Sequence, residues 1–162
     1  MVETGETAPD FSLADSSGQV HHLGTALSDG PVVLAFLKAD CATCQLTFPY
    51  LERLHQTFRS EHWQIWGICQ HPSRAADWFA QRTGVTFPLL IDTTELSVSH
   101  AFDPPATPTI FLIDEKGTIQ DVSWGFQKDK LNILANQVAA WLGKEAMTLA
   151  PGGDGNPSFR PG

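Results

Sequence analysis

Three features of this 162-residue chain predict an α/β fold with a mixed sheet. Two apolar runs, Pro31-Val32-Val33-Leu34-Ala35-Phe36-Leu37 and Trp63-Gln64-Ile65-Trp66-Gly67-Ile68-Cys69, read as buried parallel strands. Between them Leu46, Tyr50, Leu51, Leu54 and Phe58 recur at helical spacing, which completes a βαβ unit with a right-handed crossover. Further along, residues 109–113 and 118–124 read as strands around Asp114-Glu115-Lys116-Gly117, a turn with glycine at its end. A parallel half joined to an antiparallel hairpin and a closing helix gives a central mixed β-sheet flanked by helices.

The elements follow in order. Pro9-Asp10-Phe11-Ser12-Leu13 and Val20-His21-His22-Leu23 flank Ser16-Ser17-Gly18, a small N-terminal hairpin. The strand at 31–37 runs into Cys41-Ala42-Thr43-Cys44, which opens the first long helix. Pro49 lies inside that helix and is expected to kink it, because its ring meets the preceding turn. After the second strand, Ser73 is placed to cap a helix through Thr83, with Gly84 as its stop. A short strand at 87–92 and a short helix at 94–100 form a βα-type insertion between the βαβ and ββα halves. The last helix puts Leu131, Leu134, Val138, Trp141 and Leu142 on one side and ends at Gly143. Residues 1–148 thus make one domain. From Leu149 on, the Gly/Pro-rich run Pro151-Gly152-Gly153-Asp154-Gly155-Asn156-Pro157 is expected to build no core and to be a mobile tail, 149–162.

Composition narrows the function classes. The formal charge is −8, with only ten Lys and Arg and no acidic block, so neither a nucleic-acid groove nor attraction to anionic lipid is expected. Five Trp and ten Phe are core-forming, since no basic stripe accompanies them as in a base-stacking platform. The start Met1-Val2-Glu3-Thr4-Gly5-Glu6 has no apolar leader, and no segment reaches membrane-spanning length. A cytoplasmic location is the expectation for the chain as written, although a leader removed by trimming would leave no trace in it. Three cysteines are too few for a disulfide scaffold.

The spacing of Cys41 and Cys44 carries the chemistry. In a strand, loop, C-x-x-C, helix context it means a redox-active dithiol. A thiol at a helix N-terminus meets backbone N–H donors and the positive end of the dipole, and both favour the attacking thiolate. The second cysteine, one turn along, can close the disulfide and release a trapped partner. A zinc site would need two more ligands, usually a second close pair, and none is present. No cofactor is implied.

The chain resembles the thioredoxin-like superfamily, and within it the redoxin and TlpA-like thiol-disulfide oxidoreductases, which are related to the AhpC/TSA peroxiredoxin group. The match lies in Gly5-x-x-Ala8-Pro9-Asp10-Phe11-x-Leu13, the Cys41–Cys44 pair, Pro49, Thr83-Gly84-Val85-Thr86-Phe87-Pro88, Thr107-Pro108-Thr109 and Phe111-Leu112-Ile113-Asp114-Glu115-Lys116-Gly117. It spans roughly residues 5 to 143, and the motifs together in this order are far more specific than any one alone.

This resemblance implies a thioredoxin-like fold with Cys41 as the exposed nucleophile and Cys44 as the shielded resolving thiol. It also implies a cis peptide bond before Pro108, leaving Pro104 and Pro105 as ordinary loop prolines. The backbone at Thr107 would then pair with an incoming peptide. Asp40, Ala42 and Thr43, with Thr107, are the candidate partner-contacting residues. The chain departs from its relatives just before the motif, where Lys38-Ala39-Asp40 replaces the usual aromatic. Asp40 opposes a thiolate on Cys41 while Lys38 favours one. Ala35 stands where thioredoxin has a buried aspartate. His71 falls where TlpA-like relatives often carry an acidic side chain facing the dithiol, so an imidazole there is a candidate to exchange a proton with Cys44; the alternative is a surface histidine at a helix entry. Cys69 reads as a small core residue, with a third redox thiol or a metal ligand as the alternative.

The expected activity is exchange of a Cys41–Cys44 dithiol/disulfide with cysteines of a partner protein, in company with a thioredoxin-type electron donor. A peroxiredoxin-type thiol peroxidase is the alternative, and a metal-delivery module a more distant one. Peroxiredoxins place a Thr three residues before the reacting Cys and an Arg near the C-terminal hairpin. Here Cys41 stands three before Cys44, and no Arg occurs between residues 83 and 159.

Overall fold

In the computed structural model, which describes residues 1–162, the chain opens with a two-stranded hairpin, β1 (Ser12–Ala14) antiparallel to β2 (Val20–His22). Asp15 holds its turn by accepting the amides of Ser17 and Gln19 at 2.9 and 3.1 Å. The sequence pattern carries the second strand through Leu23, but β2 stops at His22 and a one-turn helix, α1 (Leu23–Leu27), begins at once. His22 caps it by accepting the Thr25 amide, and Leu23, Ala26 and Leu27 are buried.

The βαβ unit follows as β3 (Val32–Leu37), α2 (Ala42–Thr57) and β4 (Gln64–Cys69). β3 and β4 are parallel, with Val33 opposite Ile65 and Leu37 opposite Cys69. Pro49 sits on the exposed side of α2, which continues past it to Thr57. α3 (Ser73–Thr83) starts one residue earlier than the capping pattern suggests. Pro72 holds the N-cap position, and Ser73 is already helical with no side-chain cap. Gly84 ends the helix in the left-handed conformation, φ 78°, where a Cβ would be costly.

β5 (Leu89–Ile91) adds parallel to β4. α4 (Ser97–Phe102) begins later than the sequence pattern implies, because Leu96 precedes it in the left-handed region. The buried Asp92 carboxylate organises its first turn by accepting the Val98 and Ser99 amides at 3.2 and 2.7 Å. β6 (Thr109–Ile113) and β7 (Ile119–Trp124) form the expected hairpin, and the sheet order is β5-β4-β3-β6-β7. A two-residue strand, β8 (Phe126–Gln127), leads into α5 (Lys128–Leu142), which Gly143 stops at φ 65°.

Every side chain of β3 is buried, and its alternation divides the core between two faces of the sheet. Val33, Ala35 and Leu37 pack with α2, α3 and α5 through Phe48, Leu51, Phe79 and Leu134. Val32, Leu34 and Phe36 pack with Trp66, Phe102 and Phe111 on the other face. There Phe36, Phe102 and Phe111 form a triangle with centroids 5.2–5.6 Å apart, within the favourable range for edge contacts. The architecture is thioredoxin-like.

The segment 149–162 corrects the expectation that it builds no core. Leu149 and Ala150 are 0% and 3% exposed and belong to the α2/α5 face. Asn132 brackets Ala150, accepting its amide at 2.8 Å and donating to its carbonyl at 3.1 Å. The chain then returns along the molecule and forms β9 (Phe159–Arg160), antiparallel to β8. No helix is long and apolar enough to cross a membrane.

Candidate active site

β3 delivers the chain to the edge of the sheet, and the turn 38–40 carries it into α2. Cys41 occupies the N-cap position with extended backbone, φ −82° and ψ 112°. Its Sγ accepts the Cys44 amide at 3.1 Å, so a thiol serves where Ser, Thr, Asp or Asn is usual. Cys41 is half-buried and Cys44 fully buried; both are reduced.

The preceding turn is tied at three points. The Cys41 amide donates to the Lys38 carbonyl at 3.1 Å. The Gln45 side chain donates to the Ala39 carbonyl at 3.2 Å, and the Ala39 amide donates to His71 Nδ1 at 3.2 Å. His71 therefore sits beside the dithiol loop. Its hydrogen bond goes to the Ala39 backbone, with none to either sulfur.

From the opposite side comes the start of β6. The Thr107–Pro108 bond is cis, whereas the bonds before Pro104 and Pro105 are trans. The Thr107 carbonyl accepts the Cys41 thiol at 3.3 Å. Asp40 and Ala42 are exposed beside Cys41, and Thr43 is buried with its hydroxyl donating to the Pro161 carbonyl at 2.8 Å. Ala39, Asp40, His71, Arg74 and Trp78 line an adjoining groove of about 550 Å³.

The two thiols are driven apart electrostatically. The Cys44 thiol, hydrogen-bonding to Cys41, is the largest influence that lowers the Cys41 pKa, to about 6; the Cys44 and Thr43 amides help, and burial opposes them. Burial foremost, then the Cys41 charge and hydrogen bond, pushes Cys44 far above the ordinary thiol range. The competition between Lys38 and Asp40 is settled elsewhere: both are exposed, and the leading causes lie in the first turn of α2 and at Thr107.

Cys69 is fully buried in β4, between Leu37 and Ile91 on the neighbouring strands, and burial raises its pKa. No three His, Cys, Asp or Glu side chains are grouped as metal ligands would be. The arrangement can support nucleophilic attack by one ionised thiol and later closure by a second, protonated one.

Two approaches of the C-terminal segment escape a sequence reading. Pro161 reaches Thr43 across 118 residues, and the Arg160 backbone is brought opposite Phe126, just past the β6–β7 hairpin. The only trace is the apolar Leu149-Ala150 pair, which breaks the polar character of the tail.

Comparison with known proteins agrees with this geometry. The thiol-disulfide oxidoreductase ResA of Geobacillus kaustophilus is 34% identical over 125 residues, 76% of this chain and 71% of that protein. A putative peroxiredoxin of Mycobacterium tuberculosis is 31% identical, covering 75% of this chain and 84% of the relative. The solution structure of a putative protein disulfide isomerase from Bacteroides thetaiotaomicron superposes with a TM-score of 0.79 at 26% identity, covering 89% of this chain and 92% of the other. The AhpC/TSA family model matches residues 4–122, and the chain belongs to that family.

Proposed function

We propose that this protein is a thiol-disulfide oxidoreductase whose Cys41–Cys44 dithiol reduces disulfides of a partner protein. The observation that carries the reading is the division between a half-buried Cys41 with a pKa of about 6 and a buried Cys44 held protonated. The Cys41 thiolate attacks one sulfur of the partner disulfide, forming a mixed disulfide and expelling the other partner sulfur as a thiolate. Cys44 then loses its proton and attacks Cys41 Sγ. The Cys41–Cys44 disulfide forms, the second partner thiolate leaves, and two electrons have passed to the partner.

The site supplies a trigger for the second step. Part of what holds Cys44 protonated is the negative charge on Cys41. In the mixed disulfide that charge is gone, so Cys44 becomes easier to ionise at the moment it is needed. Thr107 with Pro108 offers the partner backbone an edge, Asp40, Ala42 and Thr43 border the attacked sulfur, and His71 steadies the loop through Ala39.

In a reducing cytoplasm, the location we propose, a thioredoxin-type donor would return the disulfide to the dithiol. The deciding experiment is reduction of a protein disulfide such as insulin by the reduced chain, with the Cys41–Cys44 reduction potential measured alongside. Absence of turnover despite an intact dithiol would remove the proposal.

The second reading is a thiol peroxidase. Arg160, carried to the hairpin by β9, and the peroxiredoxin relative favour it. No hydrogen bond joins the Arg160 side chain to the dithiol, as stabilising a reacting peroxide there would require.

A further inference from the structure

We propose that residues 159–162 occupy the surface on which a partner peptide docks, so that this chain carries its own displaceable occupant of the exchange site. The inference rests on the exchange reading above and adds what fills the site between encounters. Its basis is the path of the segment. The Pro161 carbonyl accepts the hydroxyl of Thr43, inside the C-x-x-C turn, at 2.8 Å. Gly162 lies so close to the loop before Pro108 that a Cβ added to it would stand 2.5 Å from the Thr107 carbonyl oxygen. The same carbonyl accepts the Cys41 thiol. The segment therefore bridges the two walls between which a cysteine-bearing strand must lie to reach Cys41.

Its manner of binding matches that of an incoming extended peptide. Phe159 and Arg160 pair antiparallel with Gln127 and Phe126, an edge-addition contact made through the main chain. A Cβ on Gly125 would meet the Arg160 carbonyl at 2.8 Å, so a glycine leaves room for the backbone to approach.

The segment is built to release its tip while keeping its base. The base is buried and pinned: Leu149 and Ala150 lie in the core, and Lys128 reaches the Pro151 carbonyl at 2.8 Å and Asp154 at 2.6 Å. Tyr50 donates to the same Asp154. The tip buries almost nothing, with Phe159 58% exposed. Gly155, at φ 89°, lies between them. Lifting 159–162 breaks a few hydrogen bonds without opening the core, whereas lifting 149–154 would open it.

The partner so identified is an extended, cysteine-bearing peptide that takes the antiparallel register of 159–160 against β8. Its affinity is reduced by the fraction of time the tip is seated.

The test uses the full chain. A Gly162→Val variant wedges the tip away from Thr107, at an exposed position outside the dithiol. The KM for an extended peptide disulfide should fall by about two- to tenfold, the range expected for losing a few weak competing contacts. Alkylation of Cys41 by iodoacetamide, which needs no strand to dock, should keep its rate. In parallel, hydrogen exchange at Phe159 and Arg160 is followed in Cys44→Ser, free and trapped as a mixed disulfide with the peptide. Loss of protection on trapping supports the proposal. A trapped disulfide with protection and KM unchanged overturns it while leaving the exchange reading intact. Failure to trap any peptide overturns the exchange reading and this proposal with it.

Discussion

Cys41 Sγ accepts the Cys44 amide at 3.1 Å, so the reactive thiol is also the cap of the helix that carries its partner. Capping adds to an acidity that the Cys44 thiol, hydrogen-bonding to Cys41, does most to create. Amides left without partners at the start of α2 point at the sulfur, and a sulfur carrying negative charge satisfies them better than a neutral one. Cys44, one turn inside, gains none of this and is instead desolvated.

The first prediction follows from that asymmetry. Alkylation of the reduced protein at neutral pH labels Cys41 and leaves Cys44 silent, with a rate that climbs as pH rises through about 6. Cys41→Ser abolishes disulfide reduction, and Cys44→Ser accumulates mixed disulfides. Mass mapping of the labelled peptide decides it; label on Cys44 with Cys41 untouched would reverse the assigned roles.

The same shift predicts a pH-dependent stability. Cys41 is more acidic folded, at about 6, than an ordinary thiol at about 8.5 in the unfolded chain. Its contribution is therefore fully present above the unfolded value and is lost as pH falls through about 6. Denaturant melts of the reduced protein, referenced to Cys41→Ser, should show the difference growing between these limits. A flat difference would mean that the thiolate gains nothing from the fold.

The peroxidase reading can be separated kinetically. With Arg160 near the hairpin but without a hydrogen bond to the dithiol, hydrogen peroxide should oxidise Cys41 no faster than an ordinary thiol of similar pKa. Stopped-flow oxidation measures this directly. A rate several orders higher, lost in Arg160→Ala, would favour the peroxidase.

How much of this was legible follows from which forces each feature uses. The runs at 31–37 and 63–69 declared themselves because a strand buried on both faces has no polar position to hide. The C-x-x-C spacing marks Cys41 and Cys44, whereas Pro108 is singled out by the family resemblance; in the structure the Thr107 carbonyl lies against Cys41. The seat of 149–162 was not legible. Its Gly/Pro composition resembles that of a free tail, and polar groups on Tyr50, Lys128 and Asn132, which show no periodicity, hold it in place. The start of α4 is illegible for a related reason: Glu95 and Leu96 both take left-handed backbone, and buried Asp92 gathers the amides of Val98 and Ser99, features that leave no periodic pattern.

His71 gives the last prediction, because its two nitrogens can be tested apart. Nδ1 accepts the amide of Ala39, which is buried just ahead of Cys41, so the neutral ring carries its proton on Nε2 and cannot take one from Cys44 while that bond lasts. His71→Ala leaves that amide unpaired, a loss of about 1–3 kcal/mol, and loosens the turn that presents the nucleophile. His71→Asn returns an acceptor near the Nδ1 position but has no ring nitrogen to carry a proton. We expect His71→Asn to recover stability and the rate of first attack by Cys41. We expect it also to recover release of the mixed disulfide, where Cys44 must lose its proton, because the ring that holds Ala39 is no base for that step. Single-turnover kinetics from pH 5 to 9 on the three proteins read both quantities. If His71→Asn restores stability and first attack but not release, the ring must leave Ala39 to take the Cys44 proton, and holding the loop is not its whole role.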